Sequence, residues 1–170
     1  MGKVLYLLRH AKAGRDDVTI DDRDRPLNER GEQDAPEMGR RLRRRGSAPA
    51  AIVSSPARRA YATAERVARQ LHFPLNEIIR AEELYVNSLA GVIEVVQGLA
   101  DDWEQVIVCG HNPSFTEAAN FFCRDRQFAR IPTCGVVCID FAAESWRNVR
   151  AASGTLVFFE CPERENSAPG

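Results

Sequence analysis

The 170-residue chain has no long hydrophobic run, five cysteines, three histidines and a formal net charge of −1. Each scarcity removes a class of function. No segment approaches the roughly 18 continuous apolar residues of a membrane-spanning helix. The opening MGKVLYLLRH has one lysine and a short apolar stretch. It lacks a long apolar region followed by a small-residue cleavage site, so no secretory signal is expected. Tyr6 stands where a myristoylation motif needs Ser or Thr. Cys109, Cys123, Cys134, Cys138 and Cys161 are odd in number and form no C-x-x-C, so neither a disulfide framework nor a zinc knuckle is expected. Reduced thiols in a cytoplasmic protein are the simpler reading; a pair or a metal ligand set at Cys134 and Cys138 is the minor alternative. His10, His72 and His111 show neither H-x-H nor H-E-x-x-H spacing, which argues against a metal. Near-zero net charge and 8% aromatic residues provide neither the broad basic surface nor the stacking platforms of a nucleic-acid binder.

What is present is ordinary for a globular chain: 44% apolar and 28% charged residues, in a length suited to one core. We expect a single domain over residues 1–160 and a frayed tail over 161–170. Residues 3–8, 51–53 and 106–109 read as short buried strands. Residues 14–26 are polar and acidic and read as a loop. Asn28 caps a helix over 29–45, with Ala35, Met38 and Leu42 on one stripe and an arginine run on the other faces. Ser54-Ser55-Pro56 predicts an N-cap with Pro at the first helical position. The helix that follows carries Ala57, Ala60, Tyr61, Ala64, Val67, Ala68 and Leu71 at helical spacing. Further helices are predicted over 89–99 and 113–122. Residues 135–141 and 155–159, with no helix between them, predict a late antiparallel hairpin. Alternating strands and helices predict a three-layer α/β/α sandwich around a mainly parallel sheet, in which ligands sit at the C-terminal ends of the strands.

Three of those strand ends carry chemistry. The first ends in Arg9-His10, the second leads through Ser54-Ser55-Pro56 to Arg58-Arg59, and the third ends in Gly110-His111-Asn112-Pro113. In a parallel sheet they converge on one edge. Two histidines, two or more arginines and helix N-termini in one crevice make an anion site that suits a phosphoryl group. One imidazole is able to attack phosphorus, and the arginines and second imidazole to stabilise charge on the equatorial oxygens without a metal or other cofactor. Taken singly each motif has a bland reading: a strand leaving the core, a turn histidine, serine caps. His72 reads as a surface residue at a helix C-terminus, the arginine run over 40–45 as a solvated face, and Tyr85 as either pocket lining or packing.

LLRHAKAG resembles the RH(G) motif of the histidine phosphatase superfamily, with Ala11 where many members have glycine. SSPARRAYATA resembles that family's S-x-x-x-R-A-x-x-T-A motif, and VIVCGHNPSF its second-histidine motif. DRDRPLNERG and the small size are similar to the SixA type of phosphohistidine phosphatase. The resemblance implies a phosphoglycerate mutase-like fold, His10 as nucleophile, His111 as the second catalytic histidine, and Arg9 and Arg59 as phosphate ligands. Arg58, Asn112 and Glu83 are further candidates. The choice of Arg59 over Arg58 rests on the family's Arg-Ala pair, since both flank the apolar stripe about equally. No motif fixes a proton donor; Asp21, Asp22, Glu82 and Glu83 are the candidates. An imidazole leaving group, with a free pKa of about 6.5, demands less acid assistance than an alkoxide.

The expected function is therefore metal-independent removal of phosphate through a phosphohistidine intermediate. The expected partner is a phosphorylated protein such as a histidine phosphotransfer domain, because no long insertion caps the site. Hydrolysis of a small phosphate ester or sugar phosphate is the alternative. A mutase and a silent phosphate-binding module rank below both, and neither a nucleic acid nor a membrane is an expected partner.

Overall fold

The computed structural model describes residues 2–15 and 17–162. Its centre is a six-stranded mixed sheet built from β1 (Lys3–Arg9), β2 (Ala51–Ser54), β3 (Ile79–Arg80), β4 (Gln105–Gly110), β5 (Val136–Phe141) and β6 (Gly154–Glu160), in the order β3-β2-β4-β1-β5-β6. β1, β2, β3 and β4 run parallel, while β5 and β6 join antiparallel as the expected hairpin.

Alternation decides which face each strand residue serves. Leu5, Leu7, Val53, Val106, Val108, Val137 and Ile139 enter one core with α3 (Leu89–Gln97) and α4 (Ser114–Phe122). Tyr6, Leu8, Ile52, Ile107, Cys109, Val136 and Cys138 enter the other, against α1 (Glu29–Arg44) and α2 (Arg58–Gln70). The result is the expected sandwich. Its central strands are apolar on both faces because helices cover both.

The differences from the sequence reading are local. The side chain of Asn28 caps α1 as predicted, accepting from Gly31 N at 2.9 Å. The start of α2 is a correction: the helix begins at Arg58 after Ala57, and neither Ser54 nor Ser55 is its N-cap. The hydroxyl of Ser55 faces the ring of His111 instead. β3 is only two residues long, too short to leave a periodic signal. α3 stops at Gln97, two residues early. His72 is exposed and lies just past the C-cap of α2, in the left-handed region at φ 58°. The arginine run is largely neutralised: Arg40, Arg41 and Arg44 pair with Glu37, and Arg45 with Glu160. Most of the predicted tail lies outside the described residues; its first two, Cys161 and Pro162, accept hydrogen bonds from Arg41. All five cysteines are free thiols, so Cys134 and Cys138 form no pair.

Candidate phosphoryl-transfer site

Parallel pairing brings the motif ends together. Arg9 lies beside Gly110 in the β1–β4 register, and Ser54 beside Cys109 in the β2–β4 register. The chain then leaves the sheet on one edge, around a cleft of about 690 Å³ lined by Arg9, His10, Arg59, His111 and Asn112 among others. Arg58 is exposed and faces a neighbouring groove with Tyr61, and Glu83 is exposed outside the cleft.

His10 is held by its backbone and its ring. Its N–H donates to Gly110 O at 2.9 Å, and its carbonyl accepts from Cys134 N at 3.0 Å. Ring Nδ1 lies 2.7 Å from Ala11 O. A carbonyl only accepts, so Nδ1 carries the proton and the neutral ring keeps its lone pair on Nε2. Burial, aided by the nearby His111, Arg59 and Arg9, pulls the His10 pKa down to about 3, so that lone pair is free at neutral pH.

Thr63, from the second motif, shows why its spacing matters. Its Oγ1 accepts from Ala11 N at 2.9 Å and donates to Arg59 O, one helical turn back, at 2.7 Å. It thus ties the loop after His10 to the turn that carries Arg59. Gly31 serves the same loop: a Cβ there would collide with Lys12 O, so the first turn of α1 can approach only as glycine.

Arg59 is only 6% exposed. Its Nη1 donates to Asp22 O at 2.6 Å and its Nη2 to Asp22 Oδ2 at 3.1 Å. The Asp22 carboxylate also accepts from Tyr85 Oη at 2.9 Å and from Arg25 at 2.9 and 3.1 Å. Although burial opposes ionisation, the hydrogen bonds from Tyr85, Arg25 and Arg59 outweigh it and hold its pKa at about 2. A carboxylate so held is a poor proton donor at neutral pH and acts instead as an anchor for Arg59. Glu82 is paired with Arg23 at 2.5 Å, and Asp21 is exposed. None of the four candidate acids presents a proton to the cleft. Tyr85 lines the cleft and meets His111 edge-on, with centroids 5.9 Å apart.

His111 is buried, with its ring centroid 5.2 Å from that of His10. Its Nε2 lies 2.7 Å from Ser55 Oγ, which also accepts from Ala57 N at 3.2 Å. Among the described residues the only acceptor for the Ser55 hydroxyl proton is Nε2, which places the proton of the neutral ring on Nδ1. Burial, then the cationic Arg59, lowers the His111 pKa to about 4. Ser55 escaped the sequence reading because its partner lies 56 positions away. Asn112 braces the same turn: its Nδ2 donates to Ile131 O at 2.8 Å and its Oδ1 accepts from Thr116 Oγ1 at 2.9 Å. Ile131 O also accepts from Arg9 Nη1 at 2.9 Å.

Three buried polar atoms have no partner among the described residues: Arg9 Nε, Arg59 Nε and His111 Nδ1. Buried donors are normally satisfied, and these three belong to side chains that line one cleft. An oxyanion beside His10 would be the missing acceptor.

The two depressed histidines also set a pH dependence. Unfolded, each ring titrates near pH 6.5; folded, they titrate at about 3 and about 4. Between these limits the unfolded chain binds more protons, so stability falls as pH drops below 6.5. At pH 4.5 the cost is on the order of 2 kcal/mol per ring. Melting temperature measured from pH 7 to 4.5 should fall for the native protein and fall clearly less for a His10→Gln/His111→Gln variant. Parallel curves would contradict these environments.

The fold is an α/β sandwich of the phosphoglycerate mutase-like kind. The family model of the histidine phosphatase superfamily (branch 1) matches residues 5–121, and the chain belongs to that superfamily. An uncharacterized protein of Mycobacterium tuberculosis is 30% identical over 165 residues, covering 91% of this chain and 99% of the relative. The fold is also that of the protein histidine phosphatase SixA solved with tungstate, at TM-score 0.79 and 21% identity, covering 94% of this chain and 97% of that one. A mycobacterial glucosyl-3-phosphoglycerate phosphatase matches at TM-score 0.71 and 14% identity, covering 92% and 98%. Family membership supports a phosphatase; the similar structures include enzymes named for a protein substrate and for a sugar phosphate. Among the described residues no helix is long and apolar enough to cross a membrane.

Proposed function

We propose that this protein is a metal-independent phosphatase that forms a phosphohistidine at His10 and acts on phosphohistidine carried by a protein. The observation that carries the reading is the set of three orphaned donors, Arg9 Nε, Arg59 Nε and His111 Nδ1, around a cleft that also holds the neutral His10 ring. Nε2 of His10 attacks phosphorus as the bond to the leaving group breaks. The two guanidinium groups and the N–H of His111 receive the charge on the equatorial oxygens. A phosphorylated imidazole protonated on its other nitrogen departs as neutral imidazole, so its loss needs no carboxylic acid. Water then attacks the phosphoenzyme, the P–N bond breaks, and orthophosphate leaves with His10 restored. Reduced buried thiols fit a cytoplasmic setting.

The test is phosphate release from a phosphohistidine-bearing phosphotransfer domain with a chelator present, beside an aryl phosphate and a sugar phosphate. Fast release from the protein substrate supports the reading. Turnover confined to the small esters would transfer it to a metabolite phosphatase.

Ser55 enters this mechanism as a positioning residue, fixing the His111 tautomer through Nε2. Ser55→Ala should lower kcat by about 10–100-fold, the usual cost of removing a supporting partner, with a smaller change in KM. Ser55→Thr, which keeps the hydroxyl, should restore most of the loss. An equal defect in both variants would mean a packing role only.

A further inference from the structure

We propose that the cleft contains a second anion subsite, formed by Lys12, Arg15 and Arg130, that takes a second anionic group on the same substrate. This rests on the reading that the transferred phosphoryl group sits between His10, Arg9 and Arg59. Six cationic side chains line the cleft: Arg9, Lys12, Arg15, Arg25, Arg59 and Arg130. Asp22 is the one carboxylate among its described lining residues, and it is already spent on Arg25 and Arg59. A phosphoryl dianion is matched by Arg9 and Arg59. Lys12, Arg15 and Arg130 then remain, and none forms an ion pair with a described carboxylate.

These three are placed where a substrate would extend. Lys12 and Arg15 follow His10 on the loop closed by the Gly14 N–H to Pro26 O bond at 3.0 Å. Arg130 precedes Ile131, whose carbonyl holds both Arg9 and Asn112. Arg130 and Arg15 both reach Arg9 electrostatically and, after burial, help to lower its pKa to about 10. Positive charge gathered in one concave site repels itself when the site is empty and is repaid by an anion. A single phosphoryl group leaves that repulsion largely in place; a substrate with a second carboxylate or phosphate removes it. Such a group would be supplied by a small doubly anionic metabolite or by acidic residues flanking a phosphorylated side chain.

Calorimetric titration tests this without requiring turnover. Orthophosphate, methylenebisphosphonate, and a phosphopeptide with flanking glutamates or glutamines are titrated at 0.15 M salt, where exposed charges beyond about 8 Å are screened. At least one doubly anionic probe should bind about tenfold tighter than orthophosphate, the effect of one added charge-assisted contact. The Arg15→Gln/Arg130→Gln variant should lose that advantage and keep its orthophosphate affinity. Arg43→Gln, an exposed change on α1 outside the cleft, should alter neither. A preference for the bisphosphonate assigns a small substrate, and a gain from glutamates over glutamines assigns an acidic peptide. The subsite is overturned if no doubly anionic probe gains over orthophosphate. It is also overturned if the gain survives in the double variant or is lost equally in Arg43→Gln. Doubly anionic binding that depends on Arg15 and Arg130, without orthophosphate binding, would keep the subsite and overturn the phosphoryl site.

Discussion

Replacing His10 with alanine should reduce phosphate release by about 10⁴-fold or more, the scale seen when a nucleophile is removed from a site whose other groups remain. Orthophosphate binding should stay within a few-fold, because Arg9, Arg59 and His111 keep their own anchors on Ile131, Asp22 and Ser55. Rapid quenching of the native protein with a labelled substrate should trap an acid-labile, base-stable phosphoryl label, absent from the variant. The truncated side chain leaves space beside the phosphoryl position, so added imidazole should accept the phosphoryl group and restore part of the rate. Undiminished turnover, or a label found on His111, would overturn the assignment of His10. Rescue separates a lost nucleophile from a damaged fold, since an unfolded cleft would not be repaired by imidazole.

The strands and most helices were legible because burial on both sheet faces writes itself as short apolar runs, as in residues 3–8 and 106–109, and one-sided burial as a 3.6-residue stripe, as in Ala35, Met38 and Leu42. Cap chemistry is also local, which is why Asn28 was readable. What could not be read depends on register. Ser54 and Ser55 carry every mark of N-caps, yet β2 and β4 align so that Ser55 faces His111. Asp22 sits in a loop whose sequence shows only that it is acidic; its attachment to Arg59 requires that loop to fold back over α2, closed by the Ala13–Leu27 bridge. β3, at two residues, exists through its partner rather than through its own pattern. The surplus of positive charge in the cleft was invisible for the same reason: Arg130 stands more than 100 positions from Lys12 and Arg15 in a chain of almost zero net charge.

Arg59 and Arg58 supply the sharpest contrast for the second large effect. Neighbours on a helix point about 100° apart, so only one of them can enter the cleft at the start of α2. Both flank the apolar stripe, and no wheel separates them. The tertiary structure does: Arg59 is 6% exposed and held by Asp22, whereas Arg58 is exposed. Arg59→Ala should therefore lower kcat/KM by about 10²–10³, the cost of deleting one preorganised donor to transition-state charge. Arg58→Ala should change it by less than about twofold, as is usual for a surface substitution. Arg59→Lys should recover little, because the three N–H donors of an ammonium radiate from one nitrogen and cannot span Asp22 and the phosphoryl oxygen as Nη1, Nη2 and Nε of a guanidinium do. The Asp22 carboxylate would also lose its buried cationic partner, so its pKa should rise above about 2, with the hydrogen bonds from Tyr85 and Arg25 still holding it down. Steady-state kinetics of the three variants, with an NMR titration of Asp22, measure both effects. Equal losses in Arg58→Ala and Arg59→Ala would show that the site needs local positive charge rather than this guanidinium, and would remove Arg59 from the proposed phosphate cradle.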